Sequence, residues 1–108
     1  MTFIFSLVFY YILIIGHVYE QQSQPEKAKK IYESILMENP NHSKVLQQLG
    51  WLFQDSKTNF HDSEKAVSLL LKSLEVDGKD AQSWYLLGRC YMHQQKYNEA
   101  YDAYQQAV

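Results

Sequence analysis

Hydrophobic and polar positions divide the chain into two parts of different character. Phe3 to Ile15 form an apolar and aromatic run, "FIFSLVFYYILII", that only Ser6 interrupts. From Gly16 onward, apolar residues recur at helical spacing among polar ones, in amphipathic segments with short polar breaks between them. With only 4 Gly and 2 Pro in the sequence, a strand-and-turn protein is disfavoured. The pattern predicts an all-α protein built from pairs of helices.

A short motif recurs along the helical part: Leu or Ile, then Gly, then two residues, then Tyr or Phe. It occurs in "IIGHVYE", "QLGWLFQ" and "LLGRCYM", and after each glycine comes an alanine with a large apolar residue four positions later. The spacing from Gly16 to Gly50 is 34 residues, and from Gly50 to Gly88 it is 38, which indicates a four-residue insertion. The positions that define the repeat are Gly16, Tyr19, Ala28, Tyr32, Pro40, Leu49, Gly50, Phe53, Ala66, Leu70, Trp84, Leu87, Gly88, Tyr91, Ala100 and Tyr104.

These positions resemble the pattern of the tetratricopeptide repeat family, W-x2-L-G-x2-Y…A-x3-F…P, at its period of about 34 residues. The resemblance covers residues 9–108, and its units are expected at 9–42, at 43–80 and, truncated, at 81–108. It implies an all-α solenoid of antiparallel helix pairs. The insertion is expected in the loop between the two helices of the second unit, within "QDSKTNFHDSEKA", with Phe60 folded back onto the repeat.

Several residues predict how individual helices begin and pack. Pro25 suits the first position of a helix, where its missing N–H costs nothing. Asp62 and Asp80 are expected to cap helix N-termini. Gly88 weakens its helix by about 1 kcal/mol relative to alanine, so we expect the glycines to be retained because the two helices of a unit pack closely there.

Composition and motifs argue against an enzyme. The four histidines are scattered, and no metal-ligand spacing, phosphate-binding loop or nucleophile motif is present, so no cofactor, metal or small-molecule substrate is expected. Cys90, the single cysteine, excludes an internal disulfide and is expected to be a buried, inert thiol. A net charge of −2 provides no general attraction to nucleic acid.

A solenoid of helix pairs presents a concave face made by the first helix of each pair, and such faces bind proteins. Helical phase predicts which residues lie there: His17, Glu20, Gln21, Lys44, Gln47, Gln48, Trp51, Gln54, Gln82, Tyr85, Leu86, Arg89, Met92 and His93. Trp51, Tyr85 and Arg89 are of the types enriched in binding hot spots. Family members that grip a chaperone's C-terminal carboxylate use a clamp of Lys, Asn and Arg; the equivalent places here are Leu13, His17, Gln48, Gln82 and Leu86, so that role is not expected.

Longer strings, including "NHSKVLQQLGWLF" and "SWYLLGRCYMHQQKYNEAYDAYQQAV", are similar to the TPR subunit of the fungal general transcriptional corepressor, the Cyc–Tup complex. That resemblance implies a non-enzymatic nuclear scaffold that binds DNA-binding repressors, or a WD40 corepressor, and contacts chromatin indirectly. The related repeat region of JmjC-type histone lysine demethylases is the alternative.

The apolar segment 1–15 departs from the repeat pattern. It is shorter than the roughly 20 residues that span a bilayer, and it lacks the basic start of a secretory signal because the first lysine is Lys27. We therefore expect residues 1–15 to be either a helix that a missing neighbour would bury or the edge of translated non-coding sequence. The departure from the repeat pattern leads us to expect a fragment of a longer protein. A membrane-anchored repeat adaptor is the remaining alternative.

Overall fold

Residues 14–108, which the computed structural model describes, form six α-helices in sequence. Helix α1 covers residues 14–21 of this range. The other helices are α2 (Pro25–Glu38), α3 (Ser43–Gln54), α4 (Ser63–Val76), α5 (Ala81–His93) and α6 (Tyr97–Ala107). Successive helices pack on one another as antiparallel pairs, and the predicted all-α class is confirmed. Apart from residues 14 and 15, the apolar segment 1–15 lies outside the described residues.

Helix starts follow the local sequence where a capping side chain is present. Pro25 occupies the first turn of α2, as predicted. The carboxylates of Asp62 and Asp80 accept hydrogen bonds from the backbone N–H groups of Lys65 and Gln82, which confirms both predicted N-caps. His42 forms a third cap that was not predicted: its Nδ1 accepts a hydrogen bond from the backbone N–H of Val45 at 3.4 Å.

The short turns that close the first and third pairs end α1 and α5 in the same way. Ser23 and Gln95 adopt the left-handed conformation, with φ of 58° and 61°. In the first turn, the N–H groups of Ser23 and Gln24 donate to the carbonyls of Glu20 and Tyr19, and the turn at Gln95 repeats this arrangement. The paired bonds satisfy carbonyls at the helix end without a glycine.

The repeated glycines provide space for large side chains of the partner helix. A Cβ built on Gly88 would lie 2.5 Å from Cε1 of Tyr104, and one on Gly16 would lie 2.6 Å from Cε1 of Tyr32. The close packing predicted for the glycines is confirmed. In the first and third pairs, the atoms nearest to a Cβ added at the glycine belong to the tyrosine ring and not to the alanine four residues before that tyrosine.

One apolar core runs through all the pairs from α2 to α6. Its fully buried members include Tyr32, Leu70 and Cys90. Burial raises the pKa of the Cys90 thiol to about 11, so this cysteine is the inert, buried thiol that was expected. The loop 55–62, called the insertion loop below, is held against this core by an edge-to-face contact of Phe60 with Phe53, at 5.5 Å between ring centroids.

Candidate protein-interaction groove

The first helices of the three pairs border a groove with a volume of about 760 Å³. Helix α1 contributes His17, Glu20 and Gln21 to its lining. The lining from α3 is Gln48, Trp51 and Leu52, and that from α5 is Gln82, Tyr85 and Leu86. The remaining wall is Ser23, Pro25, Asp55, Lys57 and Thr58. The groove therefore spans three helices that are distant in sequence.

Eight of the residues predicted to lie on the concave face line this groove: His17, Glu20, Gln21, Gln48, Trp51, Gln82, Tyr85 and Leu86. The other six, Lys44, Gln47, Gln54, Arg89, Met92 and His93, do not line it. Lys44, Met92 and His93 are exposed outside it, whereas Gln54 is buried at the end of α3.

Gln47 requires a correction, because its side chain is completely buried and cannot contact a partner. Its Nε2 donates to Oδ2 of Asp80 and to Oγ of Ser83, both at 2.8 Å. Ser83 Oγ lies 3.2 Å from Oγ of Ser73, which in turn donates to the backbone carbonyl of Ser43 at 2.9 Å. This buried network joins α3 and α4 to the start of α5. Gln47 is therefore a structural residue that connects two helix pairs.

Arg89 acts on the groove through a neighbouring ring. Its guanidinium lies 5.1 Å from the centroid of the Trp51 ring, which is within cation–π distance. Trp51 is part of the groove lining, so this contact restrains a groove residue. Tyr85 is held in a similar way, with its ring centroid 5.9 Å from that of Tyr104.

Glu20 is a largely buried carboxylate in the groove wall. Its side chain is only 13% exposed, and its Oε2 accepts a hydrogen bond from the Tyr32 hydroxyl at 3.2 Å, with His17 Nδ1 at the same distance. Oε1 is buried and has no hydrogen-bond partner. Burial raises the pKa of Glu20 above its ordinary value, although the bonds from His17 and Tyr32 oppose this shift.

The insertion loop supplies the part of the groove that sequence reasoning missed. Asp55, Lys57 and Thr58 extend the wall beyond the first helices. The polar insertion between α3 and α4 was a visible signal, but its position relative to the groove depends on the contact of Phe60 with Phe53. In the described part of the chain, no three His, Cys, Asp or Glu side chains come close enough to hold a metal ion.

The repeat pattern and the stacked helix pairs agree with comparisons to known proteins. The sequence model of the tetratricopeptide repeat matches residues 10–42 and 81–108, which together are more than half of the chain. The chain belongs to the tetratricopeptide repeat (TPR) family. The TPR resemblance drawn from the sequence is thus confirmed.

Three general transcriptional corepressors are similar to this TPR chain over about two thirds of its length. Ssn6 of Schizosaccharomyces pombe is 63% identical over 68 residues, or 63% of the chain. The protein trfA of Dictyostelium discoideum is 60% identical over 74 residues (68%), and CYC8 of Saccharomyces cerevisiae is 55% identical over 71 residues (66%). The matched region is 6%, 5% and 7% of these proteins, respectively. The TPR chain thus spans a small part of the corepressors it matches.

Solved structures with the same helix arrangement include two TPR-type proteins. The second TPR of Spaghetti (RPAP3), bound to the HSP90 peptide SRMEEVD, superposes with a TM-score of 0.82 at 14% identity, covering 92% of this chain and 88% of that one. MamA superposes with a TM-score of 0.76 at 26% identity, covering 87% of this chain and 53% of its own. At such identity the likeness to RPAP3 supports the fold alone.

Proposed function

We propose that this TPR chain is a non-enzymatic protein-binding scaffold in a general transcriptional corepressor of the nucleus. The identity of 55% to 63% to three corepressors from distant organisms carries the proposal. In this role the groove holds segments of DNA-binding repressors, and contact with chromatin is indirect. The net charge of −2 is in keeping with a protein that does not bind DNA itself.

The groove supports this function because it combines features of a protein-binding surface. Trp51 and Tyr85 are aromatic anchors of the kind that dominate interface energies. Both are restrained by a neighbour, Arg89 in one case and Tyr104 in the other, so little side-chain entropy remains to be lost on binding. No helix among residues 14–108 has the length and apolar character needed to cross a bilayer.

Direct binding of the purified chain to a panel of DNA-binding repressors from its organism tests the proposal. We expect at least one repressor to bind, and Trp51→Ala to weaken that complex by about tenfold or more, as for a hot-spot residue. Met92→Ala, which changes an exposed side chain outside the groove, is the matched control. Far-UV circular dichroism verifies that both variants remain helical. Equal binding by the wild type and Trp51→Ala would contradict the assignment of the groove.

A further inference from the structure

Carboxylates outnumber lysine and arginine side chains in the lining of the groove. Its lining contains the carboxylates Glu20 and Asp55, and Lys57 is the one lysine or arginine among the described residues that line it. Lys57 lies on the insertion loop and is exposed.

Glu20 is the carboxylate best placed to attract a cation. Both of its close polar neighbours, His17 and Tyr32, approach the same oxygen, and the other oxygen has no partner. The side chain is mostly shielded from water, and this raises the pKa of Glu20 because the charge is poorly solvated. A positive charge in the groove beside this carboxylate would stabilise its ionised form without touching the buried oxygen, and the attraction is stronger at low local dielectric than at an exposed site.

The rest of the lining suits an extended polypeptide. Gln21, Gln48 and Gln82 come from three successive first helices, and each side-chain amide can both donate to and accept from a peptide main chain. Trp51 and Tyr85 add an aromatic surface to the same lining, together with the apolar side chain of Leu86. A main chain held by the amides would present its side chains to this surface and to Glu20.

We propose that the groove binds an extended peptide segment of a partner protein in which a lysine or arginine lies against Glu20 and an apolar side chain packs on Trp51 and Tyr85. The inference rests on the proposed function, since it names the chemistry of the partner segment at the same site. A groove with this preference for basic peptides differs from protein surfaces that bind acidic peptide tails.

Selection of peptides from a random phage-displayed library on the purified 108-residue chain tests the inference. Peptides that bind the chain but not its Trp51→Ala variant are retained and sequenced. We expect enrichment of lysine or arginine at one position next to an apolar residue. For the strongest peptide, measured by fluorescence anisotropy, Glu20→Gln should weaken binding about tenfold. Glu38→Gln, an exposed change on α2 outside the groove, should alter it by less than about twofold.

A change on the peptide side keeps the test independent of the folding of any variant. Replacing the enriched lysine by norleucine retains its apolar stem and removes its charge, and the weakened peptide should no longer respond to Glu20→Gln. Trp51-dependent peptides without basic enrichment, or with affinity unaffected by Glu20→Gln, would overturn this inference and leave the scaffold function in place. Absence of any Trp51-dependent peptide, together with repressor binding unaffected by Trp51→Ala, would overturn both.

Discussion

Truncation of Gln47 is the most informative test of how the helix pairs are joined. Its amide is fully buried and donates two hydrogen bonds of 2.8 Å, one to the Asp80 carboxylate and one to the Ser83 hydroxyl. A bond to a charged group contributes about 1.5–3 kcal/mol and a neutral one about 1 kcal/mol. Alanine recovers about 0.5 kcal/mol through its higher helix propensity. Gln47→Ala should therefore lower the free energy of unfolding by roughly 2–3.5 kcal/mol.

Thermal and urea unfolding of the 108-residue chain, followed by circular dichroism, measures this loss. For a domain of about 100 residues the expected change corresponds to a fall in Tm of roughly 10–20 °C. Gln48→Ala is the matched control, because it makes the same chemical change at the next residue of α3, where the side chain is half-buried in the groove. That control should change the stability by about 0.5 kcal/mol or less.

A double-mutant cycle with Ser83→Ala assigns the loss to the network rather than to the cavity left by truncation. If the bond between Gln47 and Ser83 contributes as its geometry indicates, the two changes together should cost about 1 kcal/mol less than the sum of the single changes. Equal destabilisation by Gln47→Ala and Gln48→Ala, or strict additivity in the cycle, would refute the structural role of this network.

Three further predictions concern the helix contacts and ends. Gly88→Ala should destabilise the chain by about 1–2 kcal/mol in chemical unfolding, because overpacking against Tyr104 outweighs the gain in helix propensity. A Cβ on Gly50 would lie 3.0 Å from the nearest atom of the facing side chain, so Gly50→Ala should cost less stability, and a larger loss for Gly50→Ala than for Gly88→Ala would contradict the packing argument. Burial lowers the pKa of His42, and only the neutral ring can accept the capping bond. The stabilisation by this cap is therefore fully present above the unfolded-state pKa of about 6.5 and is lost as the pH falls below that value. His42→Asn introduces a cap that does not titrate, so this variant should lose less stability than the wild type between neutral pH and pH of about 5, and parallel pH profiles would exclude the His42 cap. Gln95→Gly should raise the free energy of unfolding by about 1 kcal/mol because it relieves a left-handed conformation, and a lower Tm for this variant would show that the side chain has another role.

The features that the sequence predicted best are those set by neighbours within one helix pair. The spacing of glycine, alanine and tyrosine identified the pairs and the close approach of their helices at the glycines, whereas the structure showed that the atoms facing Gly88 belong to the Tyr104 ring. The caps at Asp62 and Asp80 were predictable as well, because an N-cap satisfies backbone groups within the next turn of its own helix. His42 escaped notice because histidine is an uncommon cap.

The candidate groove was predicted in outline but not in detail. Helical phase placed Gln48, Trp51 and Tyr85 along one face, and the structure brings all three to the groove. The same phase assigned Gln47 to that face, although it lies about 100° around the helix from Gln48. A polar side chain in a repeat pattern has no local feature to show whether it meets water or the next helix pair.

The sequence by itself determined the helical class, the repeat and the residues at which helices of one pair touch, because these depend on periodicity and on contacts close in sequence. Tertiary structure alone decided which polar residues are buried and which are exposed. Asp80 and Ser83 bury the amide of Gln47 across more than 30 residues of chain, and Arg89 of α5 comes to lie on the Trp51 ring of α3. Such contacts depend on how one pair of helices stacks on the next. All the side chains in the interface between the pairs determine that stacking together, so no short motif can predict it.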